Sequence, residues 1–318
     1  MYLITGGAGF IGSHLVEELT RYQQDVRVLD NFSTGRRENL EGVLDRIELI
    51  KGDVRDLAVV RRAMRGVRYV FHQAALASVP RSVLDPVATS EVNVQGTLNV
   101  LLAARDANVQ RVVYASCSAV YGESHHRLQT EEHAPAPVSP YAAAKLTGEQ
   151  YCRIFTRLYG LETVSLRYFN VFGPRQEGES DYAAVIPRFI VRALRGEPLE
   201  VHGDGLQSRD FTFVGDVVQA NLLAVKAPNV VGEVFNIGSG ESHAVMDIVY
   251  FLSKFLAREI QWQNANPRRG DVRRTQADIS RARRLLGYEV EVEFPVGLAL
   301  TVRQFVSGMT TTLAEGAR

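Results

Sequence analysis

Short apolar runs alternate with segments of helical period through the first half of the chain. We expect strands at residues 2–5, 26–29, 47–50, 69–71, 111–115 and 163–166. The helical segments lie between and after them, at residues 11–21, 57–64, 86–107 and 141–159. Strands that alternate with helices build a parallel sheet that is covered by helices on both faces. The pattern therefore predicts an α/β fold with a doubly wound parallel sheet.

The alternation of apolar runs and helical segments becomes less regular after Gly173. Residues 199–202, 211–214 and 234–237 are candidates for short strands, and residues 185–195 and 216–225 have helical period. Glycines and prolines interrupt these pieces. We expect residues 1–173 to form the main domain, to which later segments return, and residues 174–318 to form mainly a smaller α/β lobe for the substrate.

The composition argues against several classes of protein. The 318 residues are 46% hydrophobic and 23% charged, as in an ordinary globular protein. Basic and acidic residues number 36 each, so no basic excess indicates a nucleic-acid partner. Two cysteines, Cys117 and Cys152, are too few for a disulfide framework. No leader pattern and no run of about 20 apolar residues is present, so we expect a cytoplasmic protein without a membrane partner or a metal site.

A glycine-rich turn joins the first predicted strand to the first helix. Gly6, Gly9 and Gly12 have the spacing of the dinucleotide-binding loop in Rossmann-type folds. They allow a tight turn, a close approach of the backbone to a pyrophosphate, and close packing of the helix on the strand. The amino end of the helix then faces the phosphates with the positive end of its dipole. This placement favours a dinucleotide site over a simple turn.

Asp30 lies at the end of the second strand, where a carboxylate usually holds the hydroxyl groups of the adenosine ribose. Its charge would repel a 2′-phosphate, which favours NAD over NADP. Arg36 and Arg37 follow closely and leave NADP open. Asp53 and Val54 come after the third strand, where they could meet the adenine ring, although a turn explains this aspartate nearly as well.

Tyr141 and Lys145 are candidates for acid–base catalysis. They are four residues apart in a segment of helical period, so they share one face of a helix. A free tyrosine has a pKa of about 10, and a neighbouring ammonium group and an oxidised nicotinamide would both favour the phenolate. The spacing alone is common, but this chain contains only four lysines. The pair therefore predicts proton removal from a hydroxyl group.

Together these motifs resemble the extended short-chain dehydrogenases/reductases. The resemblance rests on the glycine loop, on Tyr141 with Lys145, and on residues 116–118 ahead of Tyr121 and Gly122. Four further stretches narrow it to the nucleotide-sugar branch, and they are residues 167–174, 203–211, 216–218 and 236–240. The similarity covers essentially the whole chain, with its motifs in the expected order.

Within that branch the chain is most similar to UDP-glucose and UDP-N-acetylglucosamine 4-epimerases. Residues 72–75 and 78–82 resemble those of members that accept N-acetylhexosamines. Related 4,6-dehydratases carry an acidic pair after their catalytic threonine, whereas this chain has Ser118 and Ala119 there. The resemblance implies an NAD-dependent isomerase that inverts C4 of UDP-hexoses, both UDP-Glc/UDP-Gal and UDP-GlcNAc/UDP-GalNAc, through a transient 4-keto sugar.

Other functions stay open. The chain could act on a UDP-uronic acid as an epimerase or decarboxylase, or reduce an NDP-sugar with stoichiometric NADPH. A non-catalytic regulator that senses NAD could also use this fold, because a fold does not fix its chemistry. The intact Tyr141 and Lys145 pair argues against such a regulator.

The resemblance also implies a homodimer. Relatives usually associate through two helices of each subunit, which correspond here to residues 86–107 and 141–159. Apolar residues such as Leu98, Leu101 and Leu102 fit a monomer core equally well.

One position departs from the family pattern. The catalytic serine or threonine of the family corresponds to Cys117, and a thiol is a weaker hydrogen-bond donor than a hydroxyl. Cys117 could act in that role, or Ser116 or Ser118 could reach the sugar oxygen, or Tyr141 could suffice alone. It is an equally good interpretation that the cysteine only fills space in the core as a small buried side chain.

The resemblance further assigns binding residues. Those for the cofactor are Gly6, Gly9, Phe10, Ile11, Gly12, Asp30, Asn31, Asp53, Val54, Ala74, Ala75, Asn93, Tyr141, Lys145 and Tyr168. Those for the UDP-sugar are Ser78, Arg81, Asn170, Val185, Val201, His202, Gly203, Arg209, Arg268, Asp271 and Thr275. Arginines suit the diphosphate because the planar guanidinium donates two parallel hydrogen bonds. Arg269 is an alternative to Arg268.

Thr275 is the candidate for substrate selection. By its distance from Asp271, it corresponds to the residue that gates the pocket beside the sugar in these epimerases. A small side chain there leaves room for a 2-acetamido group, so we expect both pairs of sugars to be accepted. A threonine that merely ends a strand is the alternative interpretation.

Overall fold

The computed structural model describes residues 1–123, 126, 128–180, 183–266 and 273–315, with side chains up to residue 307. The strands are β1 (Tyr2–Thr5), β2 (Val26–Asp30), β3 (Ile47–Lys51), β4 (Tyr69–His72), β5 (Arg111–Cys117), β6 (Glu162–Tyr168), β7 (Val171–Phe172), β8 (Leu199–His202), β9 (Ser208–Arg209), β10 (Thr212–Phe213), β11 (Val234–Ile237), β12 (His243–Ala244) and β13 (Trp262–Ala265). The α-helices are α1 (Phe10–Arg21), α2 (Leu57–Ala63), α3 (Val79–Leu84), α4 (Pro86–Ser90), α5 (Gly96–Asp106), α6 (Pro140–Tyr159), α7 (Val185–Arg195), α8 (Val214–Lys226), α9 (Val245–Phe255), α10 (Ser280–Leu286) and α11 (Phe294–Glu315). Short 3₁₀ helices occur at Arg37–Arg46 and Ser118–Tyr121, and a π-helical turn at Glu91–Gln95.

Seven parallel strands form the central sheet in the order β11-β6-β5-β4-β1-β2-β3. The chain runs outward from β1 to β3 and then returns to place β4 on the other side of β1. The strand order therefore reverses between β1 and β4. In open parallel sheets, ligands bind at the carboxyl ends of the strands beside such a reversal.

Helices cover both faces of this sheet. One hydrophobic cluster joins it to α1, α8 and α10, with Leu15, Val217 and Ala282 among its buried members. A second cluster joins the other face to α2, α5 and α6, through residues such as Val100 and Phe155. Strands that are covered on both faces need apolar side chains in both directions, which explains why β1 and β2 are buried throughout.

A third hydrophobic cluster lies in the later part of the chain. It joins α7, α9 and α11 to β8, and its aromatic centre contains Phe172, Phe211 and Phe294. These elements form the smaller C-terminal α/β lobe. Strand β11 and helices α8 and α10 belong to the main sheet and its covering layer instead. The boundary between residues 1–173 and 174–318 stays a prediction.

The predicted fold class is confirmed, because the six strands predicted in the first half all occur in one parallel sheet. Most of them extend one to three residues further than expected, and β5 continues to Cys117. Residues 185–195, 199–202 and 234–237 have the predicted bounds.

Three predictions about elements are wrong in detail. Residues 86–107 do not form one regular helix, because a π-helical turn at Glu91–Gln95 separates α4 from α5. Residues 211–214 form only the two-residue strand β10, and the helix predicted at 216–225 begins earlier, at Val214. Helices α3, α9, α10 and α11 were not predicted.

Among the helices of the described residues, none is long and apolar enough to cross a lipid bilayer.

The contact between α6 and β5 generates a stability prediction. A Cβ atom at Gly148 would lie 2.2 Å from the hydroxyl oxygen of Tyr114, which is fully buried. Gly148→Ala should therefore lower the free energy of unfolding by about 1–3 kcal/mol through overpacking. Urea denaturation followed by circular dichroism measures this change. Gly42→Ala is the matched control, because the position is exposed and a Cβ there has no neighbour within 4 Å. Equal denaturation midpoints for the two variants would contradict the prediction.

Candidate active site

A cleft of 1380 Å³ lies across the carboxyl ends of the central strands. Its wall includes the glycine loop, the end of β2, residues 115–119 at and just beyond the end of β5, and both Tyr141 and Lys145 of α6. The smaller lobe contributes residues such as His202 and Arg209. The volume exceeds the roughly 300–1,000 Å³ of an ordinary small-molecule pocket. The cleft is therefore large enough for two substantial ligands.

The glycine loop has the geometry that a bound pyrophosphate requires. Gly6 adopts a φ of +69°, which favours glycine, and a Cβ atom at Gly12 would lie 2.1 Å from the carbonyl oxygen of Gly6. Helix α1 begins at Phe10, after Gly9, and no side chain caps its amino end. Its first turn contains no acidic residue. The free amide groups and the helix dipole therefore favour an anion at this position.

Asp30 ends β2 beside the glycine loop. Its Oδ2 accepts a hydrogen bond from the backbone amide of Ala8 at 2.9 Å, and its Oδ1 accepts one from Phe32 at 2.8 Å. Burial raises the pKa of Asp30, and the two amides oppose that rise because they stabilise the anion. Asp30 lines the cleft, so its carboxylate lies where the ribose of a dinucleotide on this loop would bind.

Helix α6 carries the predicted catalytic pair. Ser139 caps its amino end by accepting a hydrogen bond from the amide of Ala142, and Pro140 is its first residue. Lys145 donates from Nζ to the carbonyl oxygen of Ala115, at the end of β5, over 2.8 Å. The same Nζ lies 6.0 Å from the centre of the Tyr141 ring. The helix thus presents both side chains to the cleft at the end of β5.

Burial governs the ionisation of this pair. It lowers the pKa of Lys145 to about 8, although Cys117 and Glu149 oppose this change. Burial also raises the pKa of Tyr141 well above 10, and contact with Cys117 adds to the rise. The expectation that a neighbouring ammonium lowers the pKa of Tyr141 is therefore not met by the protein alone. A further positive charge beside the phenol would favour the phenolate.

Ser116 lines the cleft, but its hydroxyl is engaged by a buried carboxylate. Its hydroxyl donates to Glu149 Oε1 over 2.5 Å, and the residue is 2% exposed. Arg167 of β6 donates to both carboxylate oxygens of Glu149, over 2.9 and 2.8 Å. The hydroxyl proton of Ser116 is therefore directed at Glu149. A direct role of Ser116 in catalysis therefore stays a prediction.

Cys117 and Ser118 both line the cleft. The side chains of Cys117 and Tyr141 lie close enough for each to influence the pKa of the other. Burial raises the pKa of this thiol, and the charge of Lys145 only partly opposes the rise, so the thiol keeps its proton near neutral pH. Of the three candidates for the family's catalytic hydroxyl, Cys117 is the one in contact with the phenol.

Most residues of the predicted site come together in this cleft. In addition to Asp30, Ser116, Cys117, Ser118, Tyr141 and Lys145, those that line it are Gly6, Gly9, Phe10, Ile11, Gly12, Asn31, Val54, Ala74, Ala75, Ser78, Arg81, Tyr168, Asn170, Val185, His202 and Arg209. Tyr168 is held by hydrogen bonds with Gln73 and Asn221. Asn170 has a strained φ of +20°, as residues at binding sites often have.

Three predicted residues lie elsewhere because other contacts hold them. Asn93 is buried and hydrogen-bonded to both backbone groups of Leu76. Asp53 faces a separate shallow depression, where Arg55 and Asn31 bind its carboxylate. Val201 is fully buried in the core of the smaller lobe. Direct contact of these three side chains with a ligand in the cleft is therefore not supported.

The remaining predictions concern the edge of the smaller lobe. Gly203 has a φ of +66° and is not part of the cleft wall. Thr275 donates from its amide to the carbonyl oxygen of Ser208, so it lies beside the strand that carries Arg209. The buried hydroxyl of Thr275 has no hydrogen-bond partner among the described residues. Arg268, Arg269 and Asp271 lie outside the described residues.

Several polar residues of the cleft wall were not predicted from the sequence. Arg175, Gln176 and Glu177 line it, and Arg175 adopts a φ of +66°, which is unusual for a residue other than glycine. They follow directly after residues 167–174, whose motif was recognised. Their position directly after this motif was the signal in the sequence that could have identified them.

Comparison with known proteins agrees with this geometry. The NAD dependent epimerase/dehydratase family matches residues 2–238. This chain belongs to that family. It is 38% identical to the UDP-glucose 4-epimerase of Mycolicibacterium smegmatis over 307 residues, which cover 95% of this chain and 97% of that protein.

Solved structures of relatives have the same fold. A UDP-N-acetylglucosamine 4-epimerase from Methanobrevibacter ruminantium, in complex with UDP-N-acetylmuramic acid, is 39% identical and has a TM-score of 0.93, over 97% of this chain and 98% of that one. The UDP-glucose 4-epimerase of Thermus thermophilus, in complex with NAD, is 39% identical and has a TM-score of 0.89, over 96% and 98%. The similarity therefore extends through both lobes.

The charge of Glu149, one turn after Lys145 on helix α6, generates a pH prediction. The ammonium of Lys145 is present below its pKa of about 8 and is lost as the pH rises through that value. The charge of Glu149 raises this pKa. Glu149→Gln should therefore lower it, and the alkaline fall of kcat/KM should occur at lower pH than in the wild type.

Glu162→Gln is the control for this experiment. This variant also removes a carboxylate that binds an arginine, Arg111. That pair lies at the start of strands β5 and β6, whereas Glu149 binds Arg167 near the end of β6. An alkaline limb that stays in place in Glu149→Gln, while the protein remains folded, would show that Lys145 is not sensitive to this carboxylate.

Proposed function

We propose that the protein is an NAD-dependent UDP-hexose 4-epimerase that interconverts UDP-Glc with UDP-Gal and UDP-GlcNAc with UDP-GalNAc. The main observation in support of this proposal is that the residues expected to bind the cofactor and the catalytic pair line the same cleft. It holds the glycine loop and Asp30 on the side of β1 and β2, and Tyr141 with Lys145 at the end of β5. Relatives that align over nearly the full chain are named as enzymes of both sugar pairs.

The residues of the cleft fit NAD. The amide groups at the start of α1 would hold its pyrophosphate, Asp30 its adenosine ribose, and Lys145 its nicotinamide ribose. When bound, NAD takes the hydrogen of C4 from the sugar as a hydride and returns it to the opposite face of the ring. Because the cofactor is regenerated in each cycle, none needs to be consumed.

Tyr141 would remove the proton of the C4 hydroxyl. Its phenol is half-buried and faces the cleft. The ammonium of Lys145 lies on the same face of α6, 6.0 Å from the centre of the Tyr141 ring, and would act together with an oxidised nicotinamide to stabilise negative charge on the phenol oxygen. The Cys117 thiol lies beside Tyr141 in the cleft wall, at the position where the family has its serine or threonine, and would contact the same sugar oxygen. General acid–base catalysis of this kind contributes about 10²–10⁴-fold to rates.

The UDP group must stay fixed while the 4-keto sugar turns to present its other face. Arg209 and Asn170 of the cleft wall would bind the diphosphate, and Arg268 with Asp271 are proposed to bind it and its ribose. Fixed anchors that hold the substrate close to the reacting groups supply much of the rate enhancement in reactions of this kind. Thr275 lies beside the strand of Arg209, where it would border the turning sugar.

A homodimer is part of the proposal. Leu84 and Val87 at α3 and α4 are 73% and 66% exposed, and Leu158 of α6 is 67% exposed. These helices contact one another, so their apolar residues could form a continuous surface for a second copy of the chain. Leu101, by contrast, is buried within the subunit, as the monomer-core interpretation expected for it.

The direct test is turnover without added cofactor. Purified protein incubated separately with UDP-Glc and UDP-GlcNAc should produce the C4 epimer of each, because its NAD is bound and recycled. Tyr141→Phe should reduce kcat by about 10²-fold or more. The products can be identified by NMR spectroscopy. Tyr250→Phe, at an exposed tyrosine of α9, is the control and should keep full activity. Absence of any product from either sugar would contradict the proposal, and failure to turn over any UDP-sugar would favour a non-catalytic protein.

Substrate selection generates a second prediction. Thr275→Tyr would fill the space that a 2-acetamido group needs, so turnover of UDP-GlcNAc should be lost while turnover of UDP-Glc is largely kept. The ratio of kcat/KM for the two substrates measures this effect within one protein sample. Equal loss for both sugars would show that residue 275 does not act as a gate.

A further inference from the structure

We propose that Glu177 sets the preference for NAD over NADP by pairing with Arg36. This inference rests on the NAD-binding part of the proposed function. It adds Glu177 as a determinant of cofactor choice, although this residue lies 141 positions from Arg36 in the chain.

Arg36 lies at the adenosine end of the cleft. Its amide donates to the carbonyl oxygen of Ala8 over 3.0 Å, and the amide of Ala8 donates to Asp30. A Cβ atom at Gly35, the preceding residue, would lie 2.9 Å from both carboxylate oxygens of Asp30. The guanidinium of Arg36 is thus attached to the backbone that surrounds the proposed ribose-binding carboxylate. A 2′-phosphate on that ribose would bind within reach of it.

Glu177 forms an ion pair with the guanidinium of Arg36. Its Oε2 accepts a hydrogen bond from Arg36 Nη2, and its Oε1 accepts one from the amide of Glu179 over 2.7 Å. The side chains of Arg36 and Glu177 are 61% and 41% exposed, and both residues line the cleft. The carboxylate is therefore oriented by its own loop and directed toward the arginine.

The segment that carries Glu177 is fastened to the cofactor-binding domain. His14 Nε2 and the carbonyl oxygen of Pro174 are hydrogen-bonded at 3.0 Å. Arg175 Nη2 forms an ion pair with Glu17 at 2.5 Å. Both partners belong to α1, the helix that follows the glycine loop. These contacts hold residues 174–177 over the mouth of the cofactor site, so Glu177 remains opposite Arg36.

Electrostatics then favours the unphosphorylated ribose. An exposed ion pair contributes little to the stability of the fold, so its effect lies in which ligand it admits. A 2′-phosphate would meet two carboxylates, Asp30 and Glu177, against one guanidinium that is already bound. An arginine that is free to bind a phosphate can donate two charge-assisted hydrogen bonds to it. Removal of the Glu177 charge should release Arg36 for that role.

The test is a competition for the holoenzyme. Wild type and variants are equilibrated with equal concentrations of NAD and NADP, separated from free nucleotide by gel filtration, and denatured, and the released cofactors are quantified by mass spectrometry. Glu177→Gln should raise the bound ratio of NADP to NAD about tenfold. The double variant Glu177→Gln/Arg36→Ala should return to the wild-type ratio. Glu179→Gln is the matched control, because this neighbouring carboxylate pairs with Arg195 instead.

Two results would overturn the proposal. One is a ratio in Glu177→Gln that equals that of Glu179→Gln. The other is an equal increase with and without Arg36, which would attribute the change to overall charge alone. Since bound cofactor is measured directly, a failure of epimerase activity would not be mistaken for either result.

Discussion

Close packing of helix α6 against the end of strand β5 is the constraint on which the active site depends. Lys145, Gly148 and Glu149 lie on one face of the helix and contact Ala115, Tyr114 and Ser116 respectively. The glycine permits the close approach, and the two polar residues fix its register. Because β5 runs beside β4, and β4 beside β1, the same packing brings the catalytic pair to the cleft that contains the glycine loop.

This packing also determines the electrostatics of the site. Burial disfavours the charged form of both residues. It therefore lowers the pKa of Lys145 and raises the pKa of Tyr141. The protein alone therefore keeps its phenol protonated. An oxidised nicotinamide would add the positive charge that the phenolate needs, which couples proton removal to the presence of the cofactor. Such coupling is useful, since it prevents acid–base chemistry without an acceptor for the hydride.

The sequence predicted the features that local patterns determine. Strands buried on both faces, the glycine loop and the spacing of Tyr141 and Lys145 are all readable from short segments. The orientation of Ser116 was not, because it depends on Glu149 and Arg167, which arrive from two other elements. Asn93 turns toward Leu76 within a π-helical turn that periodicity does not reveal. In the smaller lobe, strands of two residues such as β9 and β12 exist only through their tertiary pairing.

The central claim is that the C4 hydrogen leaves the sugar and returns to it within one enclosed site. UDP-glucose labelled with deuterium at C4 tests this claim most directly, because isotope position in the product can be read by NMR spectroscopy. The account predicts that UDP-galactose retains the deuterium at C4 in unlabelled water, without transfer to unlabelled substrate molecules in the same mixture. Loss of the label to water would contradict it, since C4 would then exchange a proton with solvent rather than a hydride with a bound cofactor.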